Sequence, residues 1–161
     1  MTPTQSRLAT RLTFVLCLFA FVASSARAQW TQPTQEELKM TSQPEVPGAP
    51  AVYLYREEIT NDALHSWSKY IRLKVLTERG KDYANVELQQ YSSRDDGGYT
   101  ITDIEGRTIH PDGTIIPFTG KPYEKLLEKS NGLKVEAKVF TLPDVEVGSI
   151  IEYRYVLRYD D

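Results

Sequence analysis

The chain has 161 residues, 19 Lys and Arg against 22 Asp and Glu for a formal charge of −3, and a single cysteine. A concentrated basic patch is missing, which argues against nucleic acid or an anionic membrane as partner. One cysteine excludes an internal disulfide, and a chain of this size buries a core without metal or disulfide help.

Met1 to Arg11 contains Arg7 and Arg11 and no acid, Leu12 to Ala23 is the largely apolar run LTFVLCLFAFVA, and Ser24 to Ala28 reads SSARA. This pattern predicts a signal peptide over residues 1–28, with cleavage after Ala28 and export to the periplasm or the medium. The apolar run would extend only about 18 Å as helix against a hydrocarbon core of roughly 30 Å, too short for a membrane anchor. Cys17 lies within it and follows Leu16, where a lipid-attachment signal needs a small residue. The exported chain then has 161 − 28 = 133 residues, no cysteine, and a charge of (19 − 3) − 22 = −6, because Arg7, Arg11 and Arg27 leave with the leader.

Residues 29–50 form a proline-rich arm, with prolines at 33, 44, 47 and 50. Thr34 is a candidate cap for one or two helical turns through Met40, and the later prolines impose an extended path over the surface. The region 51–161 reads as strands. Ala51 to Ile59 places Val52 and Leu54 on one face and Tyr53, Tyr55 and Ile59 on the other. A polar turn over Thr60 to Leu64 leads into a second strand. Its odd positions from Trp67 to Thr77 share an apolar face, and Tyr70, Arg72, Lys74 and Leu76 share the opposite one. Arg79-Gly80-Lys81-Asp82 is a turn, and Tyr83 to Tyr91 a strand that pairs as a hairpin with the one before it.

Ser92 to Gly98 predicts a mobile loop, and Tyr99 to Ile104 a strand with Tyr99, Ile101 and Asp103 opposite Thr100, Thr102 and Ile104. His110-Pro111-Asp112-Gly113 is a tight hairpin signal, since proline fixes one φ and glycine accepts a positive one. Lys121 to Ser130 carries Pro122 at the start of a short helix with Tyr123, Leu126 and Leu127 on one side, with an extended strand as the alternative. Asn131-Gly132 turns the chain into Leu133 to Phe140, where Leu133, Val135, Ala137 and Val139 face away from Lys134, Glu136 and Lys138.

Thr141 to Tyr159 organises the rest: a Pro143 to Gly148 turn feeding a long strand. Its Ile151, Tyr153, Tyr155, Leu157 and Tyr159 point to the core, and its Glu152, Arg154, Val156 and Arg158 to water. The fold class is therefore all-β, an antiparallel β-sandwich-like domain with at most one or two short helices, preceded by the signal peptide.

The residues offer little reactive equipment. His65 and His110 are the only histidines, and no CxxC or HExxH spacing gathers metal ligands. Asp95-Asp96 beside two glycines lacks calcium-loop spacing and reads as a solvated turn. Nothing selects a catalytic pair among Glu57, Glu87, Asp103, Glu105 and Glu152. Neither a catalytic residue nor a cofactor is assigned. The ten tyrosines are ordinary strand fillers, with Tyr53, Tyr55, Tyr153, Tyr155 and Tyr159 as a candidate interaction surface.

The segments RTIHPDGTIIPF and TLPDVEVGSIIEYRY, in that order, together with the leader, resemble the DUF3857 family over roughly Ala51 to Asp161. That resemblance implies a non-catalytic β-sandwich-like module on the amino-terminal side of a papain-like transglutaminase domain in an exported bacterial protein. The catalytic Cys, His and Asp would then lie beyond Asp161, where the strand pattern breaks off. An independent module binding glycan or peptide in the cell envelope is the alternative.

Overall fold

A computed structural model describes residues 30–94 and 97–160. The signal-peptide segment and Cys17 lie outside the described residues, as do Asp95 and Asp96. The chain divides into two units, Met1–Gln32 and Pro33–Asp161, and every element below belongs to the second.

Helix α1, Gln35–Lys39, is one short turn-and-a-half closed by a capping box: the Thr34 hydroxyl accepts from the Glu37 N–H, and the Glu37 carboxylate accepts from the Thr34 N–H. Eight strands follow, β1 Ala51–Asn61, β2 Ser66–Val75, β3 Asn85–Ser93, β4 Gly97–Ile109, β5 Ile115–Pro117, β6 Tyr123–Ser130, β7 Leu133–Thr141 and β8 Ile150–Asp160. Two 3-10 turns, Asp62–Leu64 and Glu78–Ala84, lie before β2 and before β3. All pairings are antiparallel, and the order is β1-β2-β8-β4-β3-β7-β6, with β5 on β4.

The β3–β4 pairing is confined to Tyr91↔Tyr99, Ser92↔Gly98 and Ser93↔Gly97. Beyond that hinge the sheet folds over, so that β1, β2, β8, β4 and β5 make one layer and β3, β7 and β6 the other. Ile71, Leu73, Ile101, Ile151 and Leu157 from the first layer meet Val86, Leu88 and Phe140 from the second in one buried cluster. The odd faces of β2 and β8 and the even face of β3 are thus the core faces that the period-2 pattern predicts.

Five expectations change. Ser92 to Gly98 is not a loop throughout: Ser92 and Ser93 end β3, Gly97 and Gly98 open β4, and the two ends pair with each other. The strand after the Arg79–Asp82 turn does not form a hairpin with β2. That stretch is a 3-10 turn that carries the chain across to the second layer, because β2 already has β1 and β8 as neighbours. Residues 123–130 form β6, the extended alternative and not the helix: the strand pairs with β7 along its length, and tertiary pairing overrides a weak helical pattern. Register shifts between Tyr53 and Tyr55 in β1 put Tyr53 opposite Leu73, on the core side, and Tyr55 opposite Arg72, on the outer side, so the two do not share a face. In β4 a comparable shift at Asp103, with φ of 53°, ends the simple alternation and turns Ile104 toward the core.

The turns are as expected. Gly113, at φ of 89°, donates its N–H to the His110 carbonyl, and Asp112 accepts from the Thr114 N–H. Gly148 has φ of 91°, and a Cβ built there would stand 2.9 Å from Pro111 Cγ. The His110 ring lies 2.8 Å from the Asp144 carbonyl. The two segments that carry the family resemblance therefore pack directly on each other.

Candidate functional site

The outward face of β8 is where charge pattern and burial diverge. Expected in water, Glu152 is fully buried, as is Lys74, and Arg72 and Arg107 are almost so. Register explains it: Glu152 stands directly opposite Arg72 of β2 on one side and Arg107 of β4 on the other. Arg72 Nε donates to Glu152 Oε1 at 2.5 Å, and Arg107 Nε donates to Oε2. The Tyr70 hydroxyl also donates to Oε1 at 2.5 Å. One carboxylate thereby clamps three adjacent strands through charge-assisted bonds.

The arm supplies the cover. Arg72 Nη1 donates to both oxygens of Glu37, at 3.1 Å each, so the residue that closes the α1 capping box also faces the clamp. Lys74 Nζ donates to the Leu38 carbonyl at 2.7 Å and to the Gly148 carbonyl at 2.6 Å, tying the arm and the glycine turn to β2. Main-chain bonds from Leu76 and Thr77 to the Pro50 carbonyl hold the end of the arm. Burial lowers the Lys74 ammonium pKa, with Glu37 opposing the shift. Burial first, and then the bond to Glu152, raise the Tyr70 phenol. Both Glu152 oxygens are engaged, so this arrangement stabilises and positions strands.

Of the five tyrosines of the candidate interaction surface, Tyr53, Tyr153 and Tyr155 lie together on the core side, and Tyr55 and Tyr159 stand apart from them. Tyr55 is alone on the outer side, its ring 5.4 Å from that of Tyr70. Tyr153 and Tyr155 stack on the core side with rings 6.4 Å apart, and Tyr153 meets Phe140 edge-on. Burial, foremost, pushes the Tyr153 phenol up to about 12. Tyr53 faces Tyr153 across a cleft of about 270 Å³ also lined by Leu73, Tyr83 and β3. Tyr159 lies at the other end of β8, in a row of rings running Trp67, Tyr159, Tyr99 and Tyr91, with centroids 5.9, 6.0 and 4.9 Å apart. Trp67, Tyr91 and Tyr159 keep more than a third of their surface exposed.

Of the five acids considered for catalysis, Glu152 is in the clamp, Glu105 pairs with Arg154, Asp103 with Arg158 and Glu87 with Lys125. Glu57 accepts from the Tyr55 hydroxyl. The structure brings no two of them together. Among the described residues no group of three or more His, Cys, Asp or Glu is placed to hold a metal ion. Sequence reasoning missed Glu152, Arg72, Arg107 and Lys74 because charges alternating along a strand read as a wet face. The missing information was that Arg72 and Arg107 fall in register with Glu152, beneath an arm.

A family model described as a domain of unknown function with solved structure, DUF3857, matches residues 61–160. The chain belongs to the DUF3857 family. Among solved structures it is similar to a protein from Parabacteroides distasonis described as a candidate protease, at 19% identity and a TM-score of 0.54, covering 70% of this chain and 23% of that one. At that identity the likeness concerns the fold. Two structures of the family 3a carbohydrate-binding module of the CipA scaffolding protein of Clostridium thermocellum match at 12% identity and a TM-score of 0.39. Each covers 70% of this chain, and they are covered to 76% and 68%. The search of curated proteins gives no match.

Proposed function

We propose that this DUF3857 domain is a non-catalytic accessory module of an exported, transglutaminase-like protein, packing against a papain-like domain that follows it in the polypeptide. Its place is the periplasm or the medium, on the strength of the leader pattern in residues 1–28. The observation that carries the reading is the ring row at the end of β8. Trp67, Tyr159 and Tyr91 leave apolar surface exposed beside the last residues of β8, so a domain continuing from that strand meets an aromatic patch at once. The same fold fills about a quarter of the longer Parabacteroides chain, which is consistent with a module in a larger protein.

The test is the gene product carried past Asp161, compared by NMR with residues 29–161 alone. Protection or shifting of the Trp67, Tyr91 and Tyr159 rings by the following domain, lost in Trp67→Ala, is expected. A reading frame that stops at Asp161, or rings unchanged in the longer protein, would overturn the proposal.

The alternative, an independent module for glycan or peptide in the cell envelope, draws on the same wealth of tyrosine. The row packs ring edge against ring face, with planes 86° apart at Trp67–Tyr159 and 83° at Tyr91–Tyr99, which is not a flat platform for a sugar. Between its two ligands the geometry favours peptide.

A further inference from the structure

The cleft beside Tyr153 has an unusual lining. Val86 and Leu88 point into the core, Asn85 and Glu87 point away from it, and all four line the cleft together with Asp82 and Tyr83. Consecutive residues of both parities border one cavity when it runs along the edge of the strand. The pairing agrees: β7 accompanies β3 from Asn85 to Ser93 on one side, and β4 reaches its other side only at Tyr91 to Ser93. From Asn85 to Leu88 that second edge has no strand beside it among the described residues.

Such an edge is a template for another strand. Here it is recessed between the layers, walled by Leu73 and Tyr153 and flanked by the exposed Tyr53 and the partly exposed Tyr83. The hydroxyls of Tyr53, Tyr83 and Tyr153 make no hydrogen bond among the described residues. The charged residues of the lining are Asp82 and Glu87, both acidic. Glu87 holds Lys125 at 2.9 Å on the exposed side, and Asp82 has no ion pair among the described residues. Arg56, on the core side of β1, pairs with Glu58 and lies within electrostatic reach of Tyr53 and Tyr153. Tyrosine faces and carboxylates together favour a cation on an apolar stem.

We infer that the free β3 edge over Asn85–Leu88 is a strand-addition site for an extended peptide, with a basic side chain of that peptide seated between Tyr83, Tyr153 and Asp82. Main-chain pairing supplies affinity, and the acidic aromatic pocket selects the side chain. This site is separated along β8 from the ring row at Tyr159 and does not depend on a following domain.

The experiment is an NMR titration of the isotope-labelled chain with a short blocked peptide alternating threonine and valine around a central arginine. Shifts at Asp82–Leu88 and in the Tyr53 and Tyr153 rings, with contacts from peptide amides to β3 amides, are expected. The same peptide N-methylated along one edge should not bind, and a central glutamate should bind more weakly. Asp82→Asn should weaken binding by roughly two- to fivefold, the scale of one exposed ion pair, without disturbing the rest of the spectrum. Equal shifts from spermidine, N-acetylglucosamine or the N-methylated peptide would overturn the inference, as would no shift at all with the arginine peptide. Binding here with the following domain absent would leave the accessory role still to be judged by its own test.

Discussion

Replacing Glu152 by alanine should be among the most damaging single changes in this domain. The carboxylate is fully buried, and its removal leaves two nearly buried guanidinium groups, Arg72 and Arg107, without their shared partner. Breaking a buried ion pair from one side costs about 3–5 kcal/mol, because the desolvated charge remains. A domain of this size has about 5–15 kcal/mol in all. With a urea slope of about 2 kcal/mol per molar, the midpoint should fall by roughly 2 M. Trp fluorescence and far-UV circular dichroism in urea would read it. The companion triple variant Arg72→Met, Glu152→Leu and Arg107→Met removes all three charges together, and should restore much of the loss. Substituting methionine for Arg72 also releases Glu37, so the arm should fray even where the sheet recovers. A midpoint for Glu152→Ala within about 0.3 M of the parent, a shift worth only a surface contact, would refute the clamp.

Two further tests follow from the turns and the tyrosines. Gly113 and Gly148 have nearly the same positive φ, but a Cβ at Gly113 meets nothing within 4 Å whereas one at Gly148 stands 2.9 Å from Pro111. Gly113→Ala should therefore cost about 1 kcal/mol of backbone strain, and Gly148→Ala measurably more in the same thermal melt. Tyr153 is raised in the fold to about 12 from an ordinary 10.0. Its contribution is fully present below pH 10 and is lost as pH rises through about 12, because the unfolded chain releases that proton first. Up to about 2 kcal/mol separates the ends of that window. Urea midpoints taken from pH 9 to 12 should fall less steeply for Tyr153→Phe than for the parent, since Lys74 and the remaining tyrosines titrate in both proteins; parallel curves would refute the raised Tyr153 phenol.

Period 2 by itself identified the core faces of β2, β3 and β8, since alternation fixes which side chains share a face whatever the neighbour is. The cap at Thr34 and the turn at His110–Gly113 were equally legible, because each depends on a few adjacent residues. The resemblance through the proline–glycine segments was legible too, and these prove to be turns in mutual contact. What local pattern does not contain is partner and register. One shifted residue in β1 separates Tyr53 from Tyr55. The choice of β8, and not β3, as neighbour of β2 sets Arg72 against Glu152. An arm laid across the outer face then makes a buried clamp out of charges whose spacing reads as solvated. Burial of a polar side chain is a property of what covers it, and that is decided only when distant segments meet.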